Sequence, residues 1–467
     1  MDFSKDQLKA LEGLETGKNC FLTGKAGTGK SQITKEFIKR KKKENKNLII
    51  CASTGAAAQG LSEFGACTVH RAFGLKAKGI VEPPKKPKAE IEAADIVIID
   101  EISMVRIDLF EHVANVILKV NEDRKRLERA YKRKGEEPPK PIQLVVVGDF
   151  TQLPPVVTKD DKEAMRELYG NKIFAFESKL WKKLELTPLV LSVVHRQDKD
   201  QEYAEHLNEI RQCKISKDPF ADTDTLQWFN ENTSAHKFEN ENSINLCGKN
   251  DTASVENESR MLRLPGKTYT SEAKIKGDAD LNSVTAEKIL NYRIGAKIMM
   301  LTNGPDYFNG AIGYIKSVVN EGSPDEYVIV KIGENFIPIK KYEWAIFKPE
   351  VKEIETTEVG EDGKAIKTIK KIVENTEVGS VIQYPFKLGY AVTIHKSQGM
   401  TLTCGVNLIC EVNRNSEIWD SGQLYVALSR VDQRDNIYIQ GCLQPKNWKL
   451  NSRVEKFYGS IDPEWGQ

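Results

Sequence analysis

The chain holds eight cysteines but no C-x-x-C pair. Their scatter, from Cys20 to Cys442, excludes the usual zinc modules and a disulfide framework, and it fits a reducing compartment. No apolar run approaches the roughly 18–20 residues that span a bilayer, which excludes a transmembrane helix, and no membrane partner is expected. The first residues, MDFSKDQLKA, lack the apolar core of a secretory signal. Net charge is nearly absent too: 69 Lys and Arg against 67 Asp and Glu leave +2. Composition therefore announces no nucleic-acid partner, and any such partner needs a local basic groove. No tandem repeat is present, which excludes a solenoid. A globular cytoplasmic chain of bacterial or phage type is the expectation, or a nuclear or mitochondrial one in a eukaryote. At 467 residues it is too long for one ordinary core, so several domains are expected.

The first third alternates short apolar strands with amphipathic helices. NCFLT (Asn19–Thr23), LIICAS (Leu48–Ser53), DIVIID (Asp95–Asp100) and QLVVVGD (Gln143–Asp149) read as strands buried on both faces of a parallel sheet. The class is α/β, doubly wound. EPPKKPK (Glu82–Lys88) reads as a loop, and Asn121–Pro141 as a charged helix ending at Gly135. A second α/β region begins near Leu191. Between Gly313 and Ser380 the pattern changes to apolar–polar alternation with turn residues, including the hairpin signal Asp362-Gly363. That stretch reads as a small antiparallel barrel inserted into the second α/β domain.

Gly24 to Ser31, GKAGTGKS, fits the phosphate loop G-x-x-x-x-G-K-[ST] between a strand and a helix. Its glycines let backbone N–H groups face phosphate oxygens, and the helix N-terminus adds a favourable field. Gly24, Ala26, Gly27, Thr28, Gly29, Lys30 and Ser31 are the expected nucleotide contacts. Lys30 reaches the β/γ-phosphates, and Ser31 ligates Mg²⁺. IVIIDEISM adds Asp100 for the metal and Glu101 to polarise the attacking water. Gln152, in GDFTQLPPV, is placed to sense the γ-phosphate or hold that water. Phosphoryl transfer gains most from positive charge on the γ-phosphate, and Arg196 (VVHRQ) and Arg430 (LYVALSRV) are the candidates.

In this order, GKAGTGKS, ASTGAAA, GACTVHRAFG, IIDEISM, VVGDFTQLPP, VVHRQ, AVTIHKSQGMTL and YVALSRV resemble the motifs of superfamily 1 helicases. ISMV and HKSQG resemble the PIF (petite integration frequency) branch, related to RecD and Dda. The resemblance runs from about Phe3 to about Val431. It implies two RecA-like P-loop domains: residues 1–190, with a wedge insertion at about 75–92, and a second domain split into 191–312 and 381–467. A Src-homology-3-like barrel, 313–380, interrupts the second. It implies ATP and Mg²⁺ as cofactors and Gln7 at the adenine. It also implies 5′-to-3′ movement of a monomer on single-stranded DNA, unwinding 5′-tailed or forked duplexes, with G-quadruplex or R-loop structures among its targets.

A motor that steps along any sequence holds phosphates and stacks bases without reading their edges. Thr54, Gly55, His70, Phe73, Pro155, His395, Lys396 and Ser397 are the candidates for that track. Asn309-Gly310 is either a DNA contact or a tight turn into the barrel, and Tyr307 and Phe308 lie beside it. The alternatives are a RecD-like translocase subunit, an RNA-acting helicase, or a nucleotide-dependent loader that does not translocate.

Overall fold

The computed structural model describes residues 3–54, 57–58, 60–75, 87–134, 139–158, 161–213, 224–239, 243–279, 281, 284, 286–302, 304–307, 311–359, 365–399, 402 and 405–466. The chain divides into two compact units, residues 1–250 with 392–467, and residues 251–391.

The first unit is built on a six-stranded parallel sheet: β1 (Cys20–Gly24), β2 (Leu48–Ala52), β3 (Cys67–Thr68), β4 (Ile96–Asp100), β5 (Gln143–Val147) and β6 (Thr187–Leu191), in the order β3-β2-β4-β5-β1-β6. The strands are short apolar runs because helices cover both faces. α1 (Lys5–Glu15) buries Gln7, Ala10, Leu11 and Leu14, one helical stripe. α2 (Lys30–Lys43) buries Ile33, Thr34, Phe37 and Ile38, and its last turn places Arg40 to Lys43 at the negative end of the helix dipole. The apolar side chains of both helices, Ala10, Leu11, Leu14, Ile33, Phe37 and Ile38, form one core with Leu22, Ile98 and Val145. On the other face Phe21, Val97, Phe110, Val146 and Phe150 pack with Val454 and Tyr458. The last two come from the helix Ser452–Ile461, so the end of the described chain returns to the first sheet. A second sheet in this unit takes the order Ala391–Thr393, Ile244–Cys247, Val406–Ile409, Ile437–Gln440, and the last three strands run parallel.

The charged helix expected over Asn121–Pro141 is the second half of a longer one, Ile107–Lys134. Its first half is apolar enough to lie in the core, with Phe110, Val113 and Ile117 fully buried. At the start of the second half Glu122, Asp123 and Arg126 are exposed, while Arg124 stays buried and donates to Ala94 O at 2.8 Å.

The second unit is antiparallel. A five-stranded sheet runs Asn335–Ile339, Tyr327–Ile332, Ile312–Val319, Lys297–Met300, Phe386–Leu388. It extends beyond 313–380 at both ends, because Lys297–Met300 pairs with both Ile312–Val319 and Phe386–Leu388. Ile298, Met300, Ile315, Val328, Val330, Tyr384 and Phe386 form its core. The strands Tyr342–Val359 and Ala365–Gln383 pair antiparallel, and Asp362-Gly363 falls between them, outside the described residues.

Candidate nucleotide and nucleic-acid site

β1, β4 and β5 bring Gly24, Asp100 and Gly148-Asp149 to one edge of the first sheet, the carboxyl edge where parallel sheets bind ligands. The loop from Gly24 to Gly29 is crowded from several sides. Gly27 and Gly29 take φ +80° and +85°, a region closed to most side chains. A Cβ on Gly27 would lie 2.6 Å from Arg196 Cβ, and one on Gly29 would lie 2.5 Å from Gln7 Nε2. Bare backbone is required here because α1 and the segment after β6 both close on the loop. Gln7 is buried, and its Nε2 donates to Thr28 O at 3.0 Å. Lys30 Nζ donates to Gly24 O at 2.8 Å and Lys25 O at 2.9 Å. Burial lowers the proton affinity of Lys30, while Asp149 and Glu101 work against that fall. Ser31 is exposed at the first turn of α2.

Asp100 ends β4, and Glu101 follows with φ +51°. Burial pushes the Asp100 carboxyl up to about 7, and the charge of Glu101 adds to the rise. Two carboxylates in one buried place favour a cation between themselves and an anionic ligand. The pair Ser31 and Asp100 offers hard oxygen donors that fit Mg²⁺ bound mostly through nucleotide phosphates and water. Among the described residues no group of three or more His, Cys, Asp or Glu forms a metal cluster. Gln398, from the HKSQG segment, donates through Nε2 to Glu101 Oε2 at 3.0 Å.

Arg196 and Arg430 meet beside the loop. Arg196 Nη1 donates to Ser429 O at 2.7 Å, and His195 N donates to Gly27 O at 3.0 Å. Arg430 donates through Nε to Val426 O at 2.8 Å and through Nη2 to Ser429 Oγ at 2.7 Å. Burial holds both guanidiniums below their ordinary range, and the charge of Arg196 depresses Arg430 further. Gln152 is buried, its N–H bonded to Asp149 O at 3.0 Å.

Several side chains at this site were not singled out from sequence. Tyr425 accepts the Ala26 N–H through its hydroxyl at 2.7 Å, joining the helix before Arg430 to the phosphate loop. Arg211 Nε lies 3.2 Å from Asp149 Oδ2, with both side chains fully buried. Tyr458 donates to Asp149 Oδ1 at 3.0 Å. Burial opposes the charge of Asp149, yet Arg211 and Lys30 keep its carboxyl below the ordinary range. Tyr425, Asp149 and Gln398 stand inside quoted motifs, so their neighbours were a signal. Arg211 carries no local signal, since IRQ in a helix reads as a surface arginine.

The expected DNA track is only partly accessible. Thr54 is half-buried and its Oγ1 accepts Ala57 N–H at 3.1 Å, while Gly55 lies outside the described residues. His70 is half-buried, and burial with the nearby Arg106 lowers its proton affinity. Phe73 is not a stacking face. It is 1% exposed and packs edge-on against His112 inside the core, because its short helix turns it under β2 and β4. Pro155 is buried as well, and exposure passes to Val156. Ser397 is fully buried with its hydroxyl donating to Ile394 O at 2.8 Å, so it offers nothing to a ligand in this state. Lys396 is exposed and His395 half-buried. Tyr307 is half-buried, whereas Phe308, Asn309, Gly310 and residues 76–86, where the wedge was expected, lie outside the described residues.

A family model described as PIF1-like helicase matches residues 3–218. The ATP-dependent DNA helicase Pif1 of Campylobacter jejuni is 29% identical over 484 residues, 96% of this chain and 96% of that protein. The ATP-dependent DNA helicase PIF1 of Xenopus laevis is 29% identical over 477 residues, 99% of this chain but 65% of that protein. A crystal structure of Pif1 helicase from Bacteroides, in complex with ADP-AlF3 and ssDNA, superposes with a TM-score of 0.71 at 26% identity. It covers 99% of this chain and 98% of that one. These likenesses support a helicase of the PIF type. Its α/β fold, with parallel and antiparallel sheets, is that of Pif1 structures with RecA-like domains. The site geometry shows why the glycines and the paired arginines stand where they do.

Proposed function

We propose that this chain is an ATP-dependent DNA helicase that moves 5′ to 3′ on single-stranded DNA and acts as a monomer. One observation carries the nucleotide-driven part of the reading: Arg196 and Arg430, both desolvated and held close enough to repel, stand beside a phosphate loop with an acidic pair at the next strand end but one. DNA as the track is supported by the likeness to Pif1 helicases. Glu101 offsets part of the repulsion at Arg430, and a nucleoside triphosphate is the further anion that this loop fits.

Lys30 exchanges its bonds to Gly24 and Lys25 for β/γ-phosphate oxygens. Gln7 orients the adenine. Ser31 and Asp100 would hold Mg²⁺, which screens charge on the phosphates when bound. Glu101 polarises the attacking water, kept in place by Gln398. Arg196 and Arg430 stabilise the charge on the γ-phosphate, a contribution of about 10³–10⁵-fold for an arginine finger. Gln152 and Tyr425 feel the same event from neighbouring loops. Nucleotide binding and loss thereby draw together and release the two parallel sheets of the first unit, which is the stroke of a motor.

Unwinding of a duplex with either a 5′ or a 3′ single-stranded tail, with ATP and Mg²⁺ and beside Lys30→Ala, tests the reading. Unwinding from the 5′ tail alone, lost in the variant, is expected. Unwinding from the 3′ tail would overturn the polarity. DNA-stimulated hydrolysis with no unwinding would favour a translocase subunit, and equal unwinding of an RNA duplex would remove the DNA assignment.

A further inference from the structure

One exposed aromatic ring in the first unit serves none of the roles above. Trp419 is 49% exposed. Its ring lies within 28° of parallel to His395, with centroids 6.5 Å apart. An indole left in water forgoes the stabilisation that burial would bring, so an exposed one on a rigid element asks for an occupant. The turn that carries it is rigid. The fully buried Gln423 accepts Trp419 N–H at 2.8 Å and Asp420 N–H at 3.1 Å through Oε1. Lys449 Nζ donates to Trp419 O at 2.9 Å. Trp419 borders an open trough of about 500 Å³ shared with Ser421, Trp448, Lys449 and Asn451. Lys449 lines that trough, and exposed Lys396 follows His395, so positive charge flanks the ring. Asp420 is the acidic neighbour, and its carboxylate accepts Ser421 N–H at 2.8 Å.

The far end of the same turn touches the nucleotide side. Gly422 takes φ +71°, and a Cβ there would lie 2.3 Å from Gln152 O and 2.4 Å from Thr151 O. The backbone that presents Trp419 is thus in van der Waals contact with the loop that holds Gln152.

The geometry points to Trp419 as a base-stacking platform for single-stranded DNA, working with His395, and linked through Gly422 to the loop of Gln152. This rests on the DNA-motor reading above. Stacking suits a motor because every base has a π-face, so the platform needs no sequence. A ring beside lysines fits a base with its flanking phosphates better than it fits an apolar peptide.

The test is fluorescence anisotropy of a labelled oligothymidylate with wild type, Trp419→Ala, Trp419→Leu and Trp419→Phe, each checked for an unchanged melting temperature. Loss of one stacked base predicts binding weaker by roughly 5- to 100-fold for Ala. Leu keeps apolar bulk without an aromatic face and is expected to follow Ala, whereas Phe stays near wild type. In wild type, an abasic site walked along the oligonucleotide should cost affinity at one position. Trp419→Ala should be indifferent to the abasic site there. Wild-type affinity in Trp419→Ala, or in Trp419→Leu should the Ala protein not fold, overturns the platform and leaves the motor reading intact. Failure of the wild type to bind the oligonucleotide at all overturns both.

Discussion

Arg211→Met tests whether the buried charges beside the phosphate loop act as a unit. Arg211 and Asp149 are 1% and 0% exposed in their side chains and 3.2 Å apart. Arg211 also lies 3.8 Å from Asp462 and faces the rings of Tyr458 and Trp465 at 5.0 and 5.2 Å. Methionine keeps much of the volume, so the main loss is the charge. Removing one partner of a buried ion pair costs about 3–5 kcal/mol, because the other charge stays desolvated. Asp149 keeps bonds from Thr151 Oγ1 at 2.7 Å and Tyr458 Oη at 3.0 Å, and Lys30 remains in its field. Those partners place the expected cost near the lower end, about 3 kcal/mol. The assay is urea denaturation followed by tryptophan fluorescence, with Asp149→Asn/Arg211→Met beside the single variant. The stranded carboxylate is the source of the loss, so the double variant should recover most of it, to within about 1–2 kcal/mol of wild type. A double variant no more stable than Arg211→Met would refute the reasoning. It would mean that Arg211 acts through packing on Tyr458 and Trp465.

Three further outcomes are expected. Tyr425→Phe strands the buried Ala26 N–H and should cost about 1–3 kcal/mol in the nucleotide-free protein, read by thermal melting. Asp100→Asn should raise the melting temperature at pH 8. The folded carboxyl, at about 7 against an ordinary 3.8, binds its proton more tightly than in the unfolded chain. Stability is therefore highest below the ordinary value and lost as pH rises through about 7, so the gain from Asn should vanish near pH 3 and be complete above pH 7. Phe73→Ala should destabilise the fold by about 3–5 kcal/mol, as for a core phenylalanine, while oligothymidylate affinity per folded molecule stays unchanged.

The sequence alone determined the parts of this protein whose chemistry is local. A phosphate loop needs glycines at set spacing, then a lysine and a hydroxyl. Asn19–Thr23 and the helix beginning at Lys30 could therefore be placed within a residue or so. The four apolar strands of the first third were legible because a parallel strand buried on both faces is apolar throughout. The antiparallel stretch showed its alternation for the complementary reason. Tertiary structure decided everything that depends on which face of an element meets which neighbour. Phe73 and Pro155 follow strand ends just as a DNA contact would, but Phe73 packs into the core and Pro155 is buried too. Arg211 reads as a helix-surface arginine, and only the return of Ser452–Ile461 to the first sheet encloses it with Asp149. The link from Tyr425 to Ala26 spans 399 residues of chain, and that from Gln398 to Glu101 spans 297. Local periodicity cannot report such distances. They are set by how the two parallel sheets of the first unit pack, and that packing turns separate motifs into one site.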